Sequence, residues 1–232
     1  YVGSHADQIQ PESFIAVIDA SNPMQLVELG AQERTENVEG LAVAGDLLLV
    51  AVHEEGMLIF DRGEGGELTE RARVDGRYNA WGVSGAGDLA YVPSAEGMLS
   101  VVDISDPDTA QLVGSLDIGG AAKDVALDGD RAVVALGATG IALVSLADPR
   151  QPVLIEIENT PGSALSVDIG TDAVYVSDWN DIRVFDLSDR DDLVPVGHEP
   201  LDPSNASTSA ESRTLGIAAR DDIIFSSNWT EM

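Results

Sequence analysis

Two of the three histidines, His5 and His53, lie at corresponding positions of the sequence with carboxylates nearby, and this combination suits a divalent cation. His53 directly precedes Glu54, and His5 takes the corresponding place near the start of the chain. Imidazole nitrogen and carboxylate oxygen both bind first-row divalent metals. A shared site needs coordination bonds of about 2.0–2.2 Å, and we expect corresponding positions of a repeat to lie much farther apart. Two interpretations stay open: a metal site of His5, His53 and Glu54, or solvated surface histidines.

Two tryptophans share a local sequence pattern. Residues 177–180 read Ser-Asp-Trp-Asn, and residues 227–230 read Ser-Asn-Trp-Thr. Tryptophan is enriched at binding hot spots, and its large ring also packs well between neighbouring elements. The pattern predicts either a ligand-binding surface or a packing role for the tryptophans. The candidate ligand-binding residues are Asp178, Trp179, Asn180, Asn228 and Trp229.

Three more candidate ligand-binding residues come just before apolar segments. They are Trp81, Lys123 and Arg213, and Lys123 is the only lysine in a chain with 41 acidic residues. A lone ammonium in such surroundings can anchor an anionic group of a ligand. It can equally neutralise the nearby carboxylates of Asp124 and Glu39, which is the simpler interpretation.

No catalytic signature accompanies these residues. The sequence contains no cysteine, which excludes disulfides, thiolate metal sites and cysteine nucleophiles. It also lacks the Gly-x-Ser-x-Gly, His-Glu-x-x-His and phosphate-loop motifs. These absences favour a non-catalytic protein without a cofactor. A metal-dependent hydrolase or oxidase is the alternative, because abundant carboxylates suit a cation such as Ca²⁺.

The candidate residues lie on a repeat of about 42 residues. Short apolar segments end at positions spaced by 42, 42, 42 and 41 residues, namely Asp19, Asp61, Asp103, Ser145 and Asp186. A second series, Gly40, Gly82, Asp124 and Ser166, has a constant spacing of 42. An Asp at the end of a strand can accept a hydrogen bond from the backbone N–H two residues on. That structural role competes with the interpretation of these residues as a ring of ligands.

Each repeat is predicted to form four strands. In one of them, apolar segments at 82–84, 89–93, 99–104 and 111–116 are separated by clusters of Gly, Asp and Pro, which favour turns. A repeat of this length with four strands and no helical periodicity is typical of a β-propeller. The sequence therefore predicts an all-β fold, a β-propeller of four-stranded antiparallel blades.

The predicted domain is a single propeller over residues 1–232. Four complete blades cover about 37–74, 79–117, 121–158 and 163–199, and a polar loop at 199–212 precedes the last segment. Partial blades cover 1–30, which lacks a first strand, and 213–232, which has only a first and second strand. Two closures follow: the partial blades complete a six-bladed ring, or the chain belongs to a larger, seven-bladed ring. Because the chain opens inside a strand, we expect a processed or truncated polypeptide.

The end of the third strand resembles a known repeat. Residues 101–107 read Val-Val-Asp-Ile-Ser-Asp-Pro, followed by Gln-Leu-Val-Gly at 111–114, and residues 16–23 and 184–189 are close to this pattern. The pattern is similar to that of the LVIVD-repeat proteins. The resemblance implies a β-propeller, commonly on exported or surface-attached proteins, with no general catalytic activity. Ser145 and the turn at 62–66, which lacks Ser-x-Pro, depart from the pattern.

The net charge limits the choice of partners. With 41 acidic and 12 basic residues the charge is −29, which repels the phosphate backbone of nucleic acids and anionic lipid surfaces. We expect no nucleic-acid binding and no membrane insertion. The predicted function is binding of a protein, glycan or small ligand by a secreted, cell-surface or periplasmic propeller. A structural module in a larger assembly, with further domains of the same polypeptide, is another alternative.

Overall fold

The computed structural model describes residues 1–4, 13–75, 79–189, 191–200, 212–220 and 223–230. Almost all regular structure in these ranges is β-strand, and two short 3₁₀ turns occur at Glu64–Gly66 and Pro107–Thr109. The strands form sheets whose spatial order follows the chain, so each sheet is an antiparallel meander. Successive four-stranded meanders with this repeat are the blades of a β-propeller, as the sequence predicts.

The first sheet has three strands and the next two have four. The first contains β1 (Val2–Ser4), β2 (Ser13–Asp19) and β3 (Val27–Arg34). The second contains β4 (Gly40–Ala44), β5 (Leu47–Ala51), β6 (Met57–Arg62) and β7 (Leu68–Val74). The third contains β8 (Ser84–Ala86), β9 (Leu89–Pro93), β10 (Met98–Asp103) and β11 (Gln111–Asp117).

The fourth and fifth sheets again have four strands, and the sixth has two. The fourth contains β12 (Asp124–Asp128), β13 (Arg131–Ala135), β14 (Ile141–Ser145) and β15 (Val153–Glu158). The fifth contains β16 (Ala164–Ile169), β17 (Ala173–Asp178), β18 (Asp181–Asp186) and β19 (Val194–Pro200). The sixth contains β20 (Ser212–Arg220) and β21 (Ile223–Thr230).

The predicted partial blades are confirmed. Strand β1 pairs with β2, with Gly3 opposite Ile15, so it takes the place of a second strand. Strands β20 and β21 pair with each other as a first and second strand. In the third sheet, β8 begins at Ser84 rather than at Gly82. The chain before it still pairs, because the amide of Trp81 donates to the carbonyl of Pro93, and Gly82 lies so close to Gly40 that a Cβ on Gly40 would meet its Cα at 2.9 Å.

The chain divides into two compact units. The first comprises 1–94 and 100–113, and the second comprises 95–99 and 114–232, so the boundary passes through the third sheet. In the first unit, alternate residues of β6 point to opposite faces: Met57 and Ile59 pack in one apolar cluster, and Leu58 and Phe60 pack in another. In the second unit, Leu143 and Phe185 belong to one cluster. Period-2 alternation with apolar residues on both faces marks sheets that are buried on both sides.

Three of the four strand-end aspartates close the turns as predicted, and the fourth, Asp61, accepts a hydrogen bond from Arg71. The carboxylates of Asp19, Asp103 and Asp186 accept hydrogen bonds from backbone amides two residues on, at 2.9, 3.1 and 2.7 Å. The hydrogen bonds from Ser188 lower the pKa of Asp186. Ser145, at the equivalent place, accepts the amide of Ala147 at 3.4 Å. The Asp-x-Ser part of the repeat is thus explained by turn geometry alone.

Candidate functional site

Three of the turns that follow the second strands contain a residue with a positive φ angle. His53, Ala95, Gly137 and Trp179 occupy corresponding positions of the repeat. His53, Gly137 and Trp179 have φ angles of 49°, 59° and 63°, in the left-handed region. His53 pairs with Ala80, and Gly137 pairs with Ala164. These pairs connect the turn of one repeat to the start of the next and hold the backbone in place.

A left-handed conformation suits glycine but not a bulky side chain. In the fifth sheet, Asp178 pairs with Asp181, so Trp179 and Asn180 are the two central residues of a hairpin turn. A left-handed first residue is the requirement of a type II′ turn, where glycine is favoured. The amide of Thr214 donates to the carbonyl of Trp179 at 2.5 Å. The surrounding hydrogen bonds therefore maintain a conformation that is unfavourable for tryptophan by itself.

The carboxylate of Asp178 connects this turn to neighbouring segments by hydrogen bonds. Its side chain is buried and accepts hydrogen bonds from Thr160 Oγ1 at 2.6 Å and from the amide of Gly162 at 3.0 Å. Arg183 Nε donates to the same carboxylate at 3.0 Å. The carboxylate is therefore engaged with protein groups and holds the segment before β16 against the turn. Trp179, beside it, is half-buried, and Asn180 is exposed.

A second carboxylate in this turn is only partly engaged. Asp181 Oδ2 accepts from Arg183 Nη2 at 2.8 Å and lies 3.4 Å from His198 Nδ1. Asp181 Oδ1 is buried and has no hydrogen-bond partner among the residues that the structure describes. No local pattern indicates Arg183 and His198 as partners of Asp181, because β18 and β19 show only the ordinary alternation of strands.

In the first unit, two residues that the sequence patterns indicate separately, His53 and Trp81, lie in contact. The rings of His53 and Trp81 lie edge to face, with centroids 5.8 Å apart and planes inclined by 66°. Both residues are half-buried, and Glu54 is exposed beside them. The contact follows from the backbone pairing of His53 with Ala80, which brings Trp81 next to the turn. A repeat alignment alone does not show it.

An ion-pair network supports this turn. Arg73, near the end of β7, donates to Glu55 in the turn and to Glu36 before β4. Arg34 Nε lies 3.2 Å from Glu36 Oε2. Burial alone would raise the pKa of Glu36, but the hydrogen bond from Arg73 and the charges of Arg34 and Arg73 lower it to about 2. Arg34 is close to Glu36 in sequence, but Arg73 is 37 residues away, so no local pattern indicates the pairing of Glu36 with Arg73.

The first strands of three sheets in the second unit are joined by side chains. Asp124 Oδ2 accepts hydrogen bonds from Ser166 Oγ at 2.7 Å and from the amide of Val167 at 3.1 Å. Asp168 Oδ2 accepts the amide of Ala219 at 2.7 Å. Burial raises the pKa of Asp124, although these hydrogen bonds oppose the rise. The network links β12 to β16 and β16 to β20, and the ligand-binding role of Lys123 beside it stays a prediction.

Of the remaining predicted site residues, some have a described backbone position and one lies outside the described ranges. His5 lies outside the described residues. Arg213 pairs with Trp229 and Asn228 pairs with Thr214 in the backbone ladder of β20 and β21. No group of three metal-binding side chains occurs in the described part of the chain. The metal site of His5, His53 and Glu54 therefore stays a prediction, as do the ligand-binding roles.

The LVIVD repeat model matches residues 78–118, 119–160 and 161–197. The chain belongs to the LVIVD repeat family. The match confirms the resemblance that the strand-end pattern indicates, and its three segments follow the repeat of about 42 residues. Comparison with curated proteins found no match.

Two solved structures show the same fold as this LVIVD-repeat chain. The periplasmic gluconolactonase PpgL of Pseudomonas aeruginosa is 15% identical with a TM-score of 0.78, covering 98% of this chain and 75% of that one. The computationally designed Ika8 protein is 13% identical with a TM-score of 0.63, covering 87% of this chain. The match spans 58% of the designed protein's length. Among the described residues, no helix is long and apolar enough to cross a membrane.

Proposed function

We propose that this chain is a non-catalytic binding propeller of an exported protein, and that the turns after the second strands contact ligands, with the turn at His53 in the first unit and the turn at Trp179 in the second unit as two separate contact surfaces. One observation carries the proposal. His53 and Trp179 hold a left-handed backbone where the fourth repeat has Gly137. A strained conformation costs on the order of 1–3 kcal/mol and is found most often at functional sites.

The side chains on these turns are suited to contact with a partner. Trp179 is half-buried and stands beside the exposed Asn180, and His53 with Trp81 forms an aromatic pair in the other unit. Rigid aromatic groups bind with little loss of conformational entropy and dominate many binding surfaces. A glycan, a protein or a small ligand fits such a surface. An extracellular, cell-surface or periplasmic location agrees with the family and with the periplasmic source of one similar structure.

Substitution by glycine separates binding from folding. Trp179→Gly and His53→Gly keep the left-handed backbone without a Cβ, and the relief of backbone strain offsets part of the burial lost with each half-buried ring, so we expect both variants to fold with unfolding temperatures close to that of the wild type. Glycan and peptide arrays probed with labelled protein identify ligands, and isothermal titration calorimetry then measures each affinity. We expect each affinity that depends on these turns to fall at least tenfold in the glycine variants.

The matched control is Gly137→Ala. This change puts a Cβ on a left-handed residue of the same repeat position, so it lowers stability but adds and removes no aromatic group. We expect it to leave the affinities unchanged. Wild-type affinity of both glycine variants for every ligand found would show that these turns are not the binding surface.

A metal-dependent enzyme is the second candidate, favoured by the likeness in fold to a gluconolactonase. Elemental analysis of the purified protein and an assay of gluconolactone hydrolysis, with and without added Ca²⁺, distinguish the two. The binding proposal expects no stoichiometric metal and no hydrolysis above the rate in buffer. Metal-dependent turnover would replace it with the enzymatic function.

A further inference from the structure

A cavity of about 270 Å³ lies between the second and third sheets, within the first unit. Its walls are mainly apolar, with Met57, Val92 and Val102 among them. Two hydroxyl groups and one carboxylate interrupt the apolar surface, those of Ser94, Ser100 and Asp75. We call this space the junction cavity. It adjoins the turn after β5, because Gly56 and Ala80 are among its lining residues, but neither His53 nor Trp81 lines it.

The repeat explains why the space exists. Four positions of the third sheet have smaller side chains than the second sheet has at the same places: Ala90 for Leu48, Ser94 for Val52, Ser100 for Leu58 and Val102 for Phe60. The four larger residues are fully buried in the second sheet. Protein interiors pack closely, so a systematic loss of volume on one face of a sheet leaves a void. Three of these smaller residues, Ser94, Ser100 and Val102, line the cavity.

Ser94 is the clearest sign that the cavity has a ligand. The residue is only 2% exposed, and its hydroxyl has no hydrogen-bond partner among the described residues. The adjacent repeats have Val52 and Leu136 at this position, so an apolar side chain is compatible with the sheet. A buried hydroxyl without a partner costs free energy that Val or Leu would not cost. A ligand that hydrogen bonds to Ser94 removes that cost.

Charge and size define the ligand further. Asp75 is exposed and contributes to the wall of the cavity, and the chain has a net charge of −29, so a cation is favoured over an anion. An apolar cavity of about 150 Å³ holds benzene. The larger junction cavity therefore has room for one ring and a short chain, and Met57 supplies a sulfur that makes favourable contacts with aromatic rings.

We propose that the junction cavity binds a small aromatic amine with one ring and a short chain that ends in an ammonium group. The ring lies against Met57, Val92 and Val102, and the ammonium group faces Asp75. A polar substituent on the ring forms a hydrogen bond with Ser94. The site is specific to the junction of the second and third repeats, because the hydroxyl groups of Ser94 and Ser100 are absent from the equivalent positions of the second and fourth repeats.

Three probes of nearly equal shape test the ligand class. Isothermal titration calorimetry at about 0.3 M NaCl, where the Debye length is below ~10 Å, measures binding of tyramine, 4-(2-hydroxyethyl)phenol and 4-hydroxyphenylacetate. These carry the same phenol with a cationic, neutral or anionic end. We expect tyramine to bind at least tenfold more tightly than the neutral probe and the anion to bind most weakly. Equal binding of the three, or no binding of tyramine, would overturn the proposal.

Three variants test the location. Ser100→Leu introduces the residue of the second repeat and fills the cavity, so tyramine binding should be lost. Asp75→Asn should reduce the affinity for tyramine to that for the neutral probe. Asp117→Asn removes a carboxylate at the equivalent position of the next repeat and should leave the affinity unchanged. Unchanged tyramine binding by a folded Ser100→Leu variant, verified by circular dichroism, would show that the amine binds elsewhere by charge alone.

Discussion

Ser145 is the exception among the strand-end residues of the repeat. Its hydroxyl accepts the amide of Ala147 at 3.4 Å, whereas the carboxylate of Asp186 accepts the equivalent amide at 2.7 Å. A charged acceptor makes a shorter and stronger hydrogen bond than a hydroxyl. The difference suggests that the fourth repeat has the weakest of these turns.

Replacement of Ser145 by Asp is therefore expected to stabilise the chain. We expect Ser145→Asp to raise the free energy of unfolding by about 0.5 kcal/mol, the lower end of the net contribution of a hydrogen bond. Urea denaturation at moderate salt measures it, since salt reduces repulsion from the other carboxylates. Asp103→Ser is the reciprocal control and should lower the free energy by a similar amount. A stabilising effect of Asp103→Ser would contradict the explanation of the motif.

At the scale of elements, the buried carboxylate of Glu36 and the partly buried carboxylate of Asp124 connect different elements, and their contributions to stability depend on pH in opposite directions. Glu36 joins the segment before β4 to β7 through Arg73, and its pKa is lowered to about 2. Its stabilising effect is complete above the unfolded value near 4.5 and is lost as pH falls towards 2. Asp124 joins β12 to β16, and burial raises its pKa. Its contribution is complete below the unfolded value near 3.8 and is lost as pH rises through the folded pKa.

Variants of these two residues should show opposite trends with pH. The wild type should exceed Glu36→Gln by about 3 kcal/mol near neutral pH, the equivalent of the pKa shift, and the difference should shrink as pH falls below 4.5. The difference between the wild type and Asp124→Asn should instead be largest at low pH and decrease as pH rises. Urea denaturation between pH 2.5 and 7 measures both. Parallel trends for the two variants would contradict the assigned environments.

The elements differ in how far the sequence predicts them. Strand positions and the turns closed by Asp19, Asp103 and Asp186 follow from local patterns, because alternation and turn chemistry act over a few residues. The contact of His53 with Trp81 and the network around Glu36 depend on pairing between repeats, which no local pattern encodes. The junction cavity could have been suspected by comparing side-chain volumes at equivalent positions, since Ser94 and Ser100 stand where neighbouring repeats have apolar residues.

At the scale of the whole molecule, the net charge of −29 opposes folding, because folding brings many carboxylates closer together than they are in the unfolded chain. The ion pairs in the described part of the chain offset some of this repulsion, and those of Arg34 with Glu36 and Arg183 with Asp178 have a buried carboxylate. At 0.1 M salt the Debye length is about 10 Å, so interactions between exposed charges that are farther apart than this are largely screened. Interactions between buried charges are screened much less. Added salt should therefore weaken repulsion at the surface more than attraction in these pairs.

We expect the midpoint of thermal unfolding to rise by several degrees as KCl increases from about 20 mM to 1 M, and most of the rise should occur below about 0.3 M, where the Debye length changes most. Differential scanning fluorimetry measures the midpoint. Sorbitol at the same osmolality is the control, because it stabilises by exclusion from the surface without screening charge, and its effect should increase steadily with concentration. A midpoint that falls with KCl would mean that attraction between the ion pairs outweighs the repulsion among the carboxylates. In that case the acidic surface would not limit the stability of the fold.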